Sequence, residues 1–346
     1  MTWVDPDSEQ MLAASAGLGE QVAGALQGFA PPSILPDLSD VTTVAVLGMG
    51  ASSLAGEVLA AYAAPRSVLP VVRVGAGAAP RHLSPRTLLF AVSVSGDTSE
   101  TLDLARGALA AGAHVVAVTS GGELSRMAAA SGVPLIPIAG RVAQSRQAVG
   151  ATIVALLLAS ELLGILNGAR ADLECAVEQL SARSRELEDG GGVAAEVARR
   201  IGRTIPLVHG AGGLAGAAAR RWKAQVNLNA KTPAFFGSQP DVCHDEVCGF
   251  GQHGDVTRQI LTLVTLRTGG EGQHVDRRFE LFAELTTEAL AGVVEVTASG
   301  EGELARFFDL MMIGDFVSLH LAAREGIDPG PVPALVEVKQ RIVAGD

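Results

Sequence analysis

The chain has 346 residues, 48% hydrophobic and 18% charged, with a formal net charge of −11 at pH 7. That length favours more than one domain around a large core, and the acidic balance argues against a nucleic-acid or anionic-membrane surface, since both require basic patches. Three cysteines, Cys175, Cys243 and Cys248, are too few and odd in number for a disulfide framework, and no basic stretch leads into an apolar segment near Met1, so a cytoplasmic protein with reduced thiols is expected.

Residues 8–28 predict one amphipathic helix, ended by Pro31-Pro32. Residues 41–47 read as an apolar strand that opens into Gly48-Met49-Gly50-Ala51-Ser52-Ser53 and a helix through Tyr62. The glycines invite a dinucleotide-binding reading. However, Ser53 holds the third glycine position, and the next strand, residues 70–75, carries no Asp or Glu to hold a ribose. No nicotinamide or flavin is expected, and a glycine turn that lets the backbone approach a sugar phosphate fits better.

Residues 88–92 form a second continuous apolar run, as expected of a buried strand. The turn after it, Ser93-Val94-Ser95-Gly96-Asp97-Thr98-Ser99-Glu100-Thr101, gathers hydroxyls at the start of a helix. The first amides of a helix have no intrahelical partner and lie at the positive end of its dipole, so hydroxyls and amides together can hold a dianion without a lysine. The same residues would also serve as an ordinary helix cap. Strand and helix alternate again through the turn Thr119-Ser120-Gly121-Gly122, which predicts right-handed βαβ units in a parallel sheet with binding turns beyond the strand ends.

Residues 149–166 read as a buried apolar helix, interrupted by Ser160 and Glu161, and residues 172–188 as a charged amphipathic one. After Gly190-Gly191-Gly192 the pattern restarts, with a strand at 205–208, the glycine turn His209-Gly210-Ala211-Gly212-Gly213, a helix through Val226, strands at 259–266 and 293–296, and a long helix over 301–324. Matching glycine turns in the two halves suggest an internal duplication. Of the 26 basic residues only Lys223, Lys231 and Lys339 are lysine, which points to places where a compact ammonium is needed in preference to a guanidinium. Cys243, His244, Cys248 and His253 match no standard zinc spacing, so no metal site is expected.

In this order, Gly48 to Ser52, Ser93 to Thr101 and Thr119 to Leu124 resemble the sugar isomerase (SIS) domain. Gln144-Ser145-Arg146, the stretch from Asn227 to Phe235, the stretch from His244 to Phe250, and Lys339 resemble the bifunctional phosphoglucose/phosphomannose isomerase branch of that family. The resemblance implies an α/β fold of two SIS subdomains, each a parallel β-sheet flanked by helices in a flavodoxin-like three-layer α/β/α arrangement. An N-terminal helical segment (1–34) would precede subdomains at 35–170 and 190–346. It further implies a homodimer with the active site near its interface, and metal-free interconversion of glucose 6-phosphate or mannose 6-phosphate with fructose 6-phosphate. By position, the hexose phosphate would be held on Gly50, Ser52, Ser93, Ser95 and Thr98. Arg146 falls at the reacting sugar, Lys339 near the active site, and His244 where a histidine helps open the ring.

One position departs from the pattern. Where the family reads Asn-Glu-Asn, this chain reads Asn227-Leu228-Asn229, and the glutamate is the family's base for moving a proton between C1 and C2. Leucine cannot take up a proton, a contribution worth roughly 10²–10⁴-fold in rate. Asp245 and Glu246, beside His244, are the nearest carboxylates in sequence; neither matches the family's base, and one of them taking over its role is the alternative to an impaired enzyme. Two readings stand: an isomerase, intact or impaired, and a sugar-phosphate-binding sensor or regulatory protein without catalysis.

Overall fold

The computed structural model describes residues 6–75, 77, 80–140, 142, 144–188 and 192–344. The chain enters through α1 (Met11–Ala16) and α2 (Leu18–Gln27), two helices where the apolar pattern predicted one. Gly17 ends the first and starts the second, a residue whose backbone freedom makes helix propagation costly.

The first sheet is wound from β1 (Thr43–Gly48), α3 (Ala51–Ala63), β2 (Val71–Val74), β3 (Thr87–Val92), α4 (Ser99–Ala110), β4 (His114–Thr119), α5 (Gly122–Ser131) and β5 (Leu135–Pro137). All its strands run parallel, in the order β2-β1-β3-β4-β5. Successive strand residues face opposite sides, and both sides are covered: Val44, Val46, Leu88 and Phe90 enter one apolar cluster, whereas Ala45, Leu47, Leu89 and Ala91 enter another. Two buried faces explain why these strands read as unbroken apolar runs.

Next come α6 (Val149–Leu162), buried from Val149 to Ser160, and α7 (Ala169–Glu188). The second sheet follows through α8 (Val193–Ile201), β6 (Ile205–Ala211), α9 (Leu214–Asn229), β7 (Phe235–Gln239), α10 (Gly254–Ile260), β8 (Leu261–Arg267), α11 (Gln273–Thr286) and β9 (Gly292–Thr297). It is also parallel, ordered β7-β6-β8-β9, so the first strand of each half lies between its second and third. The long α12 (Glu303–Arg324) packs on α7, α8 and α9, and α13 (Pro333–Ala344) ends the chain. One continuous apolar cluster runs from the first sheet through these helices to the second.

The two halves repeat in backbone detail. Gly50, before α3, has φ 54° and ψ −122°, and Gly213, before α9, has φ 77° and ψ −132°. Both angles fall where a side chain is strained, so the sharp strand-to-helix turn demands glycine in each half. Among the described residues, no helix is long and apolar enough to cross a membrane; α6 is apolar all round because the protein surrounds it.

The α9–α12 contact depends on a close approach. Trp222 on α9 is fully buried and donates its indole N–H to the Leu310 carbonyl at 2.7 Å. A Cβ added at Gly314 would lie 2.3 Å from Trp222 Cδ1 and Nε1, inside van der Waals contact. Gly314→Ala is therefore expected to destabilise the fold by about 1–3 kcal/mol, read by denaturant unfolding, even though alanine is the better helix former.

Candidate functional site

In an open parallel sheet the ligand crevice forms where neighbouring strands send their connections to opposite sides. In the order β2-β1-β3-β4-β5 that point lies between β1 and β3, whose last residues Gly48 and Val92 are paired. The Gly50 turn and the Ser93–Thr98 turn leave these two strand ends side by side. Five of the residues singled out from the sequence, Gly50, Ser52, Ser93, Ser95 and Thr98, therefore belong to adjacent turns.

The second of these turns is organised by its own hydroxyls. Ser93 is buried, and its Oγ accepts the Gly96 amide at 3.1 Å and lies 3.0 Å from Thr98 Oγ1. Ser95 Oγ accepts the Asp97 amide at 3.3 Å, and the residue is exposed. Thr98 is the N-cap of α4, yet its side chain does not cap it, because the hydroxyl is directed at Ser93. The amides of the first turn of α4 thus have no side-chain cap. On the other side Ser52, in the first turn of α3, is 5% exposed.

The third turn, after β4, braces the second. Leu124 donates its amide to the Gly96 carbonyl at 2.9 Å, Ser120 donates its amide to the Val94 carbonyl at 3.2 Å, and Asp97 Oδ1 accepts the Glu123 amide at 2.9 Å. Asp97 therefore caps α5 from a neighbouring loop, whereas α4, like α3, has no side-chain cap. Gly96 has φ 76°, and a Cβ there would lie 1.9 Å from the Gly121 carbonyl oxygen.

Arg146 sits in a short 3-10 turn, Ser145–Ala148, that packs against α3. It is 8% exposed and donates to Gln144 Oε1 at 3.1 Å and to the carbonyls of Pro329 and Gly330 at 2.9 and 2.7 Å. Its Nε is buried without a hydrogen-bond partner among the described residues. Burial pulls this guanidinium below its ordinary range; the charge of Glu9 opposes that shift and the charge of Arg221 adds to it. Arg221 itself forms a buried ion pair with Asp315 at 2.9 Å and donates to the Arg146 carbonyl at 3.2 Å, which fixes the turn from below.

Lys231 is one of the three lysines and lies in the stretch from Asn227 to Phe235. In the structure its ammonium donates to the Pro331 carbonyl at 2.7 Å and to the Leu228 carbonyl, so it meets the same 328–331 strap as Arg146. Partial desolvation lowers its pKa, and the charge of Arg146 acts in the same direction. Leu228 thus lies on the helix end facing this strap, and the stretch Asn227 to Lys231 was the signal that marked it.

Among the described residues, no hydrogen bond or ion pair ties the side chains of His244 or Lys339 to this group. His244 is exposed after the 3-10 turn Asp241–Cys243, and Lys339 is exposed on α13. Glu246, one of the two carboxylates weighed as a substitute base, is engaged elsewhere: its Oε1 lies 2.8 Å from Nε2 of the fully buried His209. Asp245 accepts the Glu246 amide. A cleft of about 280 Å³ lies between α7 and α12, lined by Gln179, Arg183, Ser299 and Asp309 among others. Among the described residues, no cluster of three or more His, Cys, Asp or Glu is arranged to hold a metal.

Comparison with known proteins follows the same two-part division. Residues 37–163 match the SIS domain family, and residues 192–342 match the bacterial phospho-glucose isomerase C-terminal SIS domain. The bifunctional phosphoglucose/phosphomannose isomerase of Caldicellulosiruptor bescii is 29% identical over 94% of this chain and 96% of its own. The protein of the same description from Aquifex aeolicus is 30% identical over 93% of this chain and 97% of its own. Among solved structures, the C-terminal domain of glucosamine-fructose-6-phosphate aminotransferase from Francisella tularensis superposes with a TM-score of 0.69 at 14% identity, covering 94% of this chain and 99% of that one.

The cross-loop cap gives a test of the site's architecture. Asp97→Ala is expected to cost about 0.5–2 kcal/mol of stability, measured by thermal or denaturant unfolding, because the α5 amide at Glu123 loses its acceptor. Asp97→Asn, which keeps an acceptor oxygen, is expected to retain most of that stability.

Proposed function

The chain belongs to the bifunctional phosphoglucose/phosphomannose isomerase family, and from that premise we propose that it is a cytoplasmic isomerase that interconverts glucose 6-phosphate or mannose 6-phosphate with fructose 6-phosphate. The observation that carries this reading is the open N-terminus of α4 at the β1/β3 switch point, lined by the hydroxyls of Ser93, Ser95 and Thr98. Phosphate oxygens would accept from the free amides and hydroxyls, with Gly50 letting the α3 turn close in and Ser52 beside it. Arg146 would meet the hydroxyl end of the sugar. The chemistry is proton transfer between adjacent carbons and needs no metal or organic cofactor.

A homodimer belongs to the same proposal. Every residue from Pro333 to Ile342 on α13 is exposed, including Leu335, Val336, Val338 and Ile342, a helix that has not buried its apolar side chains within one copy. Docking of α13 on a second copy would cover them and bring Lys339 to an active site near the interface. His244, exposed on its loop, would reach a site in the same way and assist ring opening.

Leu228 favours a second reading, in which the protein binds hexose phosphate without turning it over and acts as a sensor or regulatory partner. Thermal shift combined with a coupled isomerase assay separates the two. Hexose 6-phosphates are expected to raise the melting temperature, since binding to the folded state alone stabilises it. Turnover of glucose 6-phosphate or mannose 6-phosphate supports the isomerase, and a shift with a flat assay supports the sensor. The double change Ser93→Ala and Thr98→Val is expected to abolish most of the shift while leaving the unliganded melting temperature within a few degrees. A shift with NAD(P) and none with sugar phosphate would overturn both readings.

A further inference from the structure

If the protein is an isomerase, another proton acceptor must replace the glutamate that Leu228 displaces; a carboxylate is the like-for-like substitute, and the carboxylates near the 328–331 strap and His244 can be sorted by what each already holds. Asp7 caps α1, accepting the amides of Met11 and Leu12 at 2.7 and 2.8 Å. Asp328 accepts the amides of Ser8 and Gly330 at 3.3 and 3.0 Å. Asp315 is paired with Arg221, and Glu246 with His209. Glu9 is left: its Oε2 is the one buried carboxylate oxygen without a hydrogen-bond partner among the described residues.

Glu9 lies against the same strap as Arg146 and Lys231. A Cβ built on Gly330 would be 2.7 Å from Glu9 Cβ and 3.1 Å from its Cδ, so the glutamate side chain runs directly over the residue whose carbonyl accepts Arg146. The Glu9 carbonyl accepts Gln147 Nε2 at 3.2 Å, next to Arg146 in the chain. The charge of Glu9 acts on both Arg146 and Lys231. Arg146 Nε, in the same cluster, is likewise buried and unpartnered among the described residues. Gln10 and Lys231, two of the three non-glycine residues with positive φ among those described, flank this cluster at φ 54° each. Such backbone strain persists where the surrounding structure over-determines it, often at functional sites.

We propose that Glu9, carried by the segment before α1, is the catalytic base of this chain and stands in for the family glutamate lost at Leu228. The proposal rests on the isomerase reading above. The Glu9 carboxylate takes the proton from C2 of the open-chain aldose; the C–H electron pair becomes the C1=C2 double bond, and the carbonyl π pair moves to O1, which takes up a proton. The O2 hydroxyl then gives up its proton, its electron pair forms the C2 carbonyl, and the C1=C2 pair takes the proton back from Glu9 at C1. The proton gained at O1 and the proton lost at O2 cancel, so no co-reactant is consumed.

The test compares the full-length wild type with Glu9→Gln, Glu9→Asp and the double variant Glu9→Gln with Leu228→Glu, assayed with fructose 6-phosphate in water and in deuterium oxide. Glu9→Gln is expected to lower kcat about 100-fold or more, with KM within a few-fold, an unchanged hexose-phosphate thermal shift, and loss of deuterium incorporation at C1. Glu9→Asp is expected to fall between the two, and the double variant to recover part of the lost rate. A Glu9→Gln protein that keeps wild-type kcat and isotope exchange overturns the assignment while leaving the isomerase reading intact. A Glu9→Gln protein that loses the thermal shift along with kcat shows a structural role and also overturns it. A wild type that turns over no hexose phosphate removes the isomerase reading and Glu9's role with it.

Discussion

Proline at 329 and 331 leaves the segment Asp328-Pro329-Gly330-Pro331 with two residues that carry a carbonyl but no N–H. A strap of that composition cannot take a regular place in a helix or sheet, so its carbonyls must find donors elsewhere. They find Arg146 and Lys231, from opposite halves of the chain. Two cations that would repel each other are held together by backbone dipoles, and an acidic side chain, Glu9, lies over the same glycine. The buried Arg221–Asp315 pair supports the arrangement from α9 and α12, since Arg221 also holds the Arg146 carbonyl. Removing one member of such a pair leaves an uncompensated buried charge, a loss of about 3–5 kcal/mol in comparable cases.

The strand-end turns and the strap, where the proposed phosphate and sugar would lie, follow from different physics. At the strand ends, glycine geometry decides: Gly50 and Gly213 adopt angles closed to other residues, and Gly96 and Gly122 let the turns after β3 and β4 touch. Across that contact Asp97 caps α5, while α4 has no side-chain cap because the Thr98 hydroxyl meets Ser93. At the strap, charge placement decides, through groups brought from the N-terminal segment, the Arg146 turn, the end of α9 and the chain after α12. Leu228 lies beside these groups, its carbonyl sharing the Lys231 ammonium with that of Pro331.

Much of the fold was legible in the sequence because a parallel sheet covered on both faces writes itself as apolar runs separated by glycine turns, as in Val44 to Leu47 and Leu88 to Val92. The misses have local causes. β7 was overlooked because it lies at a sheet edge with Phe235 and Phe236 exposed and a glycine at its centre. Gln259 and Ile260 were read into a strand because the apolar run continues unbroken from the end of α10 into β8. Gly17 split a helix that its amphipathic pattern joined.

The candidate site was legible where its residues are close in sequence. Ser93, Ser95 and Thr98 form one turn, and Gly50 and Ser52 another, and the pairing of Gly48 with Val92 sets the two turns side by side. Glu246 was weighed as a base because it neighbours His244, but its tie to His209 depends on the packing of β6, which no spacing displays. Glu9 lies 137 residues before Arg146 and carries no motif. Its position emerges only once the N-terminal segment has folded back over the strap.

A crystal structure of the full chain soaked with glucose 6-phosphate is the most direct measurement of where the phosphate sits. The phosphate is expected at the open end of α4, within hydrogen-bond distance of Ser93, Ser95 or Thr98 and facing the Gly50 turn, with the sugar hydroxyls directed toward Arg146. A phosphate bound instead in the Arg183 cleft between α7 and α12, or an α4 terminus that stays empty at saturating ligand, would contradict the account.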